Sequence, residues 1–499
     1  MILSLKDYRE KVLGCWMGKN IGGTIGAPME WRRQVNDVTF YTQKLDGNPL
    51  PNDDLDIQLV WLAALEEKGI DIDAQTLGEY WLLYITPHWA EYGNGKINMR
   101  SGLMPPLSGI ENNPYKDSCG AFIRSEIWAC IAPGCPKVAA KYAYEDAIVD
   151  HGNGEGMYAE IFCAALESAA FVEKDTYKLI NIGLSYIPED CGVANAAKCA
   201  INSYESGKSW LEARDEILEN FRGELASWAW ISQEDRDKGF VDGKIGWDVP
   251  SNIGIVIIGW LYGEGDFEKS MCITVNCGED TDCTAATYGS IYGIIHGMEA
   301  IPQKWIDPIG RNIKTLCINM GELAGQIPSD IDIFTERVER IAKQVVLRYC
   351  PSMELSESKP TDLCDITDKQ LFSQSNGKYI YRNLNGPIYR FNNYEVMVDY
   401  IDGPYAKDGM PKKIRIKIDN QYKTPESINI NWYLHEGWSI GPSKRGKIFS
   451  TQGCSEIEFD LVSEKVTDFV NRFAIELTID GKHTVMLVPV VLLNGNLRS

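Results

Sequence analysis

The sequence predicts a two-domain chain, mainly helical as far as about residue 350 and built of antiparallel strands beyond it. Three observations predict this. The chain has 499 residues, more than a single hydrophobic core usually serves. Apolar residues recur at intervals of three and four in the first part, and at intervals of two in the last.

In the first part, Trp210-Leu211-Glu212-Ala213-Arg214-Asp215-Glu216-Ile217-Leu218-Glu219-Asn220-Phe221 has the helical period, and Gly or Pro punctuates one helix from the next. The stretch after Cys283 is rich in small residues, Ala285, Ala286, Gly289, Ser290 and Gly293; they suit close helix packing. Gly18 to Gly26 holds four glycines but lacks the spacing of a phosphate-binding loop, and it reads as a close-packed turn bordering a cleft. Ser356-Glu357-Ser358-Lys359-Pro360-Thr361-Asp362 reads as a linker. Beyond it, Ile414–Ile418, Ile457–Leu461 and Ala474–Ile479 alternate apolar with polar, as half-buried strands do, and Asp480-Gly481 is a hairpin signal. The expected domains are 1–350, a linker over 351–368, and a β-sandwich over 369–499.

Composition narrows the function. A formal charge of -21 argues against nucleic acid, whose recognition needs a basic face. The first ten residues are too polar for a signal-peptide core, and no apolar run reaches membrane-spanning length, so a cytoplasmic protein is expected. The fourteen cysteines are scattered, many in apolar helical patterns such as Ile161-Phe162-Cys163-Ala164, and read as reduced core thiols. Cys130 and Cys135 have no second pair or histidine at zinc spacing.

Chemistry concentrates at two acidic corners. Asp280 and Asp282 stand one residue apart in Cys277-Gly278-Glu279-Asp280-Thr281-Asp282-Cys283, at a turn before the small-residue helix. Asp53 and Asp54 follow Asn52 at the start of another helix. Such pairs offer oxygen ligands to a hard cation. Taken singly, each also reads as a helix cap or a first-turn acid facing the helix dipole.

In their order these pieces resemble the ADP-ribosylglycohydrolases: Gly26-Ala27-Pro28-Met29-Glu30, Asp53-Asp54, Gly120-Ala121-Phe122-Ile123-Arg124, His151, Gly278-Glu279-Asp280-Thr281-Asp282 and Ala300-Ile301-Pro302. The likeness covers roughly residues 5 to 345. It implies a compact all-α globule with a metal cleft, followed here by an added β-domain. It implies a magnesium-dependent hydrolase cleaving an N- or O-glycosidic bond to ribose, with two Mg²⁺ ions, Mn²⁺ being a possible substitute. The substrate would be a small-molecule or protein-linked ribosyl compound. By the same resemblance Asn52, Asp53 and Asp54 bind one ion together with Asp282, while Asp280, Asp282 and Cys283 surround the other. Glu30, Asp54 and Asp282 are the expected catalytic groups, and Gly120, His151 and Glu155 the expected substrate contacts. His151 equally suits a loop hydrogen-bonder that only holds backbone.

The chain departs from the family pattern in ways that bear on substrate. Asn52 stands where the family usually has Thr, Cys283 where it usually has a hydroxyl residue, and Gly23 where it often has Asp. Sulfur is a poor ligand for magnesium. Two alternatives therefore stand beside the ribosyl hydrolase: a glycoside hydrolase of the furanosidase kind acting on another sugar, and a protein that binds a ribosyl ligand without turning it over. The aromatic cluster Trp432-Tyr433-Leu434-His435 of the β-domain is expected to pack in the core.

Overall fold

Ser4 begins the first helix by accepting a hydrogen bond from the Asp7 amide, the ordinary way of satisfying an orphan N–H. That helix, α1 (Leu5–Gly26), runs straight through the glycine-rich stretch expected as a turn. In this computed structural model, which describes residues 1–223, 246–323, 325–375, 384–422, 424–450 and 453–497, the reason is plain. Gly14, Gly18, Gly22 and Gly26 lie on one face of α1, spaced four apart.

The helices continue as α2 (Asp53–Lys68), α3 (Ala74–Tyr84), α4 (Ala90–Ser101), α5 (Leu107–Ile110), α6 (Glu126–Ile131), α7 (Pro136–Ala147), α8 (Glu155–Ala170), α9 (Thr176–Leu184), α10 (Gly192–Glu205) and α11 (Trp210–Phe221). After them come α12 (Val249–Gly263), α13 (Phe267–Asn276), α14 (Thr281–His296), α15 (Gln303–Ile306), α16 (Met320–Leu323), α17 (Ile331–Tyr349) and α18 (Asp368–Leu371). α11 covers the residues its periodicity predicts, and Ser209 with Glu212 closes a capping box before it. No helix among the described residues is long and apolar enough to cross a membrane.

The chain forms two compact units, Met1–Asn94 with Asn112–Tyr381, and Gly95–Glu111 with Arg382–Ser499. The first is helical around fully buried Trp16, Trp61, Trp81, Trp128 and Trp305. It is not purely α: β1 (Ile2–Ser4) pairs in parallel with β2 (Glu354–Ser356). β2 lies in the segment expected as a linker, and three residues are too few to display an alternation.

Its axis is the antiparallel pair α1 and α14. A Cβ on Gly14 would sit 2.6 Å from the Gly293 carbonyl oxygen, one on Gly18 2.0 Å from that of Gly289, and one on Gly22 2.2 Å from that of Ala285. Backbone meets backbone, as the small residues of α14 anticipate. At the end of the ladder a Cβ on Gly26 would meet Asp282 Cα at 2.5 Å, and Thr281 Oγ1 donates to the Gly26 carbonyl at 2.8 Å. The helix thus delivers Asp282 to a fixed place.

The second unit is a β-sandwich of two five-stranded sheets. One has the order β3 (Ile388–Phe391), β4 (Tyr394–Asp399), β6 (Lys412–Asn420), β10 (Gly453–Ser463), β8 (Trp438–Gly441). The other has β5 (Tyr405–Ala406), β12 (Val485–Asn494), β11 (Val470–Ile479), β7 (Glu426–Tyr433), β9 (Arg445–Ser450). β5 pairs in parallel with β12; the other neighbours are antiparallel. The alternation works as read: Ile414, Ile416 and Ile418 face the core with Ile475, Leu477 and Ile479 from the other sheet. Trp432 is buried there against Phe459. Leu103 and Leu107 join the same core, which is why Gly95–Glu111 groups with this unit.

Candidate metal-binding active site

Three chain segments of the helical unit bring their acids together. Glu30 follows a 3₁₀ turn, Ala27–Met29, just after α1. Asp53 and Asp54 open α2, and Asp280 and Asp282 flank the first residue of α14. One carboxylate oxygen each from Asp54 and Asp282 and the Cys283 sulfur lie within 4.8 Å of one another. So do oxygens of Glu30, Asp280 and Asp282. Asp282 belongs to both groups, and Cys283, which joins the Asp54 group, also lies beside the Asp280 carboxylate.

The turn that presents Asp280 is held from behind. Gly278 (φ 76°) and Glu279 (φ 67°) are both left-handed, and a Cβ on Gly278 would strike the Gln34 carbonyl at 2.1 Å. Glu279 is buried and paired with Arg222 and with Arg33 at 3.6 Å. Its amide donates to the Arg32 carbonyl at 3.2 Å. Glu279 is therefore spent on fixing the turn.

The capping reading of the acids can be decided from their hydrogen bonds. Asn52, not Asp53, caps α2: its Oδ1 accepts from the Asp54 amide at 2.8 Å. Its Nδ2 donates to Asp282 Oδ2 at 3.4 Å, so the side chain joins the start of α2 to the second acidic corner. Asp280 occupies the cap position of α14 but makes no side-chain cap bond. Asp53 accepts from the Tyr92 hydroxyl at 2.8 Å.

Asp54 Oδ2, Asp280 Oδ1 and Asp282 Oδ1 are buried with no hydrogen-bond donor. Burial, then neighbouring carboxylates, push the carboxyls of Glu30, Asp280 and Asp282 up, that of Asp282 to about 6. Burial does the same to Asp54 against the pull of Lys19. Unpartnered buried anions of like sign are costly. A divalent cation satisfies them together, and a donor set of hard oxygens with one thiol at its edge fits such an ion.

Lys19 supports the cluster from inside. Its buried ammonium donates to Glu126 at 2.7 Å and to the Ile123 carbonyl at 2.5 Å, and lies 3.8 Å from Asp54 Oδ2. No motif marks this lysine, which sits in the glycine-rich helix.

The cleft in front of the acids is narrow, with a volume of about 80 Å³, below the usual size of a small-molecule pocket. Gly120 lines it. His151 and Glu155 do not. His151 is buried behind Ser118, with Nε2 3.2 Å from Ser118 Oγ and Nδ1 3.0 Å from Asp150. Glu155 accepts from the Gly192 and Val193 amides, both at 2.9 Å, and so caps α10. Sequence reasoning passed over Trp31, Trp89, Glu91 and Trp247, which line the cleft. Trp31 directly follows Glu30, and that adjacency was the available signal.

A model of the family described as ADP-ribosylglycohydrolase matches residues 4–342. The chain belongs to this family. The match covers the helical unit and its acidic corners, so a glycosidic hydrolase is the class of protein to which this ADP-ribosylglycohydrolase scaffold is assigned. An uncharacterized protein of Archaeoglobus fulgidus is 25% identical over 312 residues, 60% of this chain and 91% of that protein. The structure of a FixG-related protein from Vibrio parahaemolyticus aligns with 20% of this chain and 94% of its own, at 12% identity and a TM-score of 0.16; so slight a likeness bears on nothing further.

Proposed function

We propose that the protein is a hydrolase that cleaves an N- or O-glycosidic bond to the ribose of an ADP-ribosyl or related ribosyl compound, free or attached to a protein, with divalent cations at the acidic cluster. The observation that supports it most is the convergence of Glu30, Asp54, Asp280 and Asp282 with three buried oxygens lacking donors.

Asp53, Asp54, Asp280, Asp282 and Cys283 would hold two ions, Mg²⁺ or Mn²⁺, with Asp282 common to both. Asn52 would orient Asp282 through its N–H rather than ligate. Bound there, such ions supply positive charge that orients sugar hydroxyls and lowers the cost of deprotonating water. Cleavage at ribose C1 passes through an oxocarbenium-like state, so the protein must hold the ring and bring water to one face. Glu30, the least buried of the four acids, is the group placed to take a proton from that water. Tyr92 holds Asp53, and the capped start of α2 holds Asp54, so neither need reorganise during the reaction.

The test is turnover of ADP-ribosyl-arginine, ADP-ribosyl-serine and simple ribosides with Mg²⁺, with Mn²⁺ and after chelation. Metal-dependent release of a ribosyl product from at least one of them is expected. Binding of ADP-ribose with no turnover anywhere in the panel would leave a binding protein instead.

A further inference from the structure

The cleft holds more than its acids. Beside them are two half-exposed indoles, Trp31 (46% exposed) and Trp89 (50%). Each is braced by a second ring. Trp31 meets Trp247 edge-on with centroids 5.8 Å apart, and Trp89 stacks on Tyr92 at 6.4 Å. A braced indole with an open face is a platform for another flat ring.

Glu91, in the first turn of α4, lines the same cleft as these rings and the acids. It is 6% exposed, lines the cleft, and its Oε2 has no hydrogen-bond partner. Gly120 admits it: a Cβ there would sit 2.0 Å from Glu91 Oε1. Chain space has been given up to keep this one carboxyl at the wall.

Resting on the ribosyl-hydrolase reading above, we propose that Trp31, Trp89 and Glu91 form the leaving-group subsite, and that the group it accepts is a planar nitrogen heterocycle of the nucleobase kind. The indoles stack on the ring and Glu91 Oε2 meets a ring nitrogen or carbonyl. Hydrolysis then balances simply. The water oxygen bonds to C1 while one of its protons passes to Glu30; the C1–N bond breaks with its electron pair going to the ring nitrogen, which takes a proton from Glu91. Solvent returns the proton from Glu30 to Glu91.

The chemistry separates this group from a guanidinium. Burial raises the Glu91 carboxyl above its ordinary range, His151 offsetting only part of the rise, so Glu91 is suited to donate. A guanidinium has five donors and no acceptor. A heterocycle has acceptors at its edge and a face for the indoles.

The experiment titrates adenine, hypoxanthine and nicotinamide into the Mg²⁺-loaded protein by calorimetry, with methylguanidine as the rival, and repeats this with Trp31→Leu and Trp89→Leu. At least one heterocycle is expected to bind, and Kd to rise about tenfold in each variant, the loss of one stacking partner. Both indoles are half exposed, so the variants should keep the wild-type melting temperature. Glu91→Gln should keep base affinity but lower kcat on a base riboside. Binding of methylguanidine and of no heterocycle would overturn the proposal, as would base affinity unchanged in both tryptophan variants. Turnover of ADP-ribosyl-serine, whose leaving group is not a ring, reports on the hydrolase reading separately. Its presence without base binding removes the subsite alone.

Discussion

Cys283 Sγ lies 3.6 Å from Asp54 Oδ1, a soft donor set among hard ones at the shared acidic corner. If both contact one ion, that ion should be more thiophilic than an all-oxygen site selects. Cys283→Thr is therefore expected to weaken Zn²⁺ binding at least tenfold while leaving Mg²⁺ binding within a few fold. Competition titrations with the two ions measure this, and equal zinc affinity in both proteins would mean that the thiol only packs.

Asp282 is common to both ligand groups. Asp282→Asn should abolish turnover without unfolding the protein, because removing one of several mutually repelling buried carboxylates relieves strain in the metal-free state. The metal-free variant should melt at or above the wild-type temperature. Wild type should gain stability on adding Mg²⁺, as any ligand of the native state confers, and the variant should not. Residual wild-type-like activity, or an undiminished Mg²⁺-induced shift, would remove Asp282 from the site.

Gly18 has no room for a methyl group against Gly289. Gly18→Ala should cost about 3 kcal/mol by overpacking, read from denaturant unfolding, and should lower activity more than it lowers stability predicts, since α14 carries Asp282. Gly207 (φ 73°), with nothing within 4 Å of its Cβ position, serves as the control: alanine there strains one residue and should leave turnover intact.

Arg124 is fully buried between Asp146 and Asp150 and donates to the Gly120 carbonyl at 2.5 Å. Burial opposes the Asp150 charge, but Arg124 and His151 outweigh it and hold its carboxyl below the ordinary value. A group depressed on folding stabilises above its unfolded pKa and loses that contribution as pH falls through its folded one. Asp150→Asn should thus cost about 3 kcal/mol at neutral pH. The gap between variant and wild type should narrow as pH drops below about 4. A gap constant with pH would show that the Asp150 charge is not what matters.

What could be read in the sequence was what repeats or clusters. The strands of the sandwich announced themselves because Ile414, Ile416 and Ile418 alternate over a full strand. The acidic corners did so because their carboxylates stand in pairs. The glycines of α1 misled, since four of them in nine residues suggest a turn; only their spacing of four, set against small residues far along the chain, reveals a helix contact. Glu91 and Trp89 left no pattern, because a lone residue acquires meaning from the wall it joins, and Trp31 had only its place after Glu30 to mark it. His151 and Glu155, expected as substrate contacts, lie outside the cleft lining, with Asp150 and the start of α10 as their partners.

Lys19 gives the acidic cluster two unlike sides. Toward the interior, Asp54 faces a cation tethered to the chain, which no chelator removes and no change of ionic strength dilutes. Toward the cleft, its neighbours depend on ions that exchange with solvent. Stripping the diffusible charge should therefore loosen the cleft wall first, around Glu30 and Asp280, and leave the floor beneath Asp54 in place. The protein is in effect half-charged before any ion arrives, and the direction in which its site relaxes is decided by one side chain of the first helix.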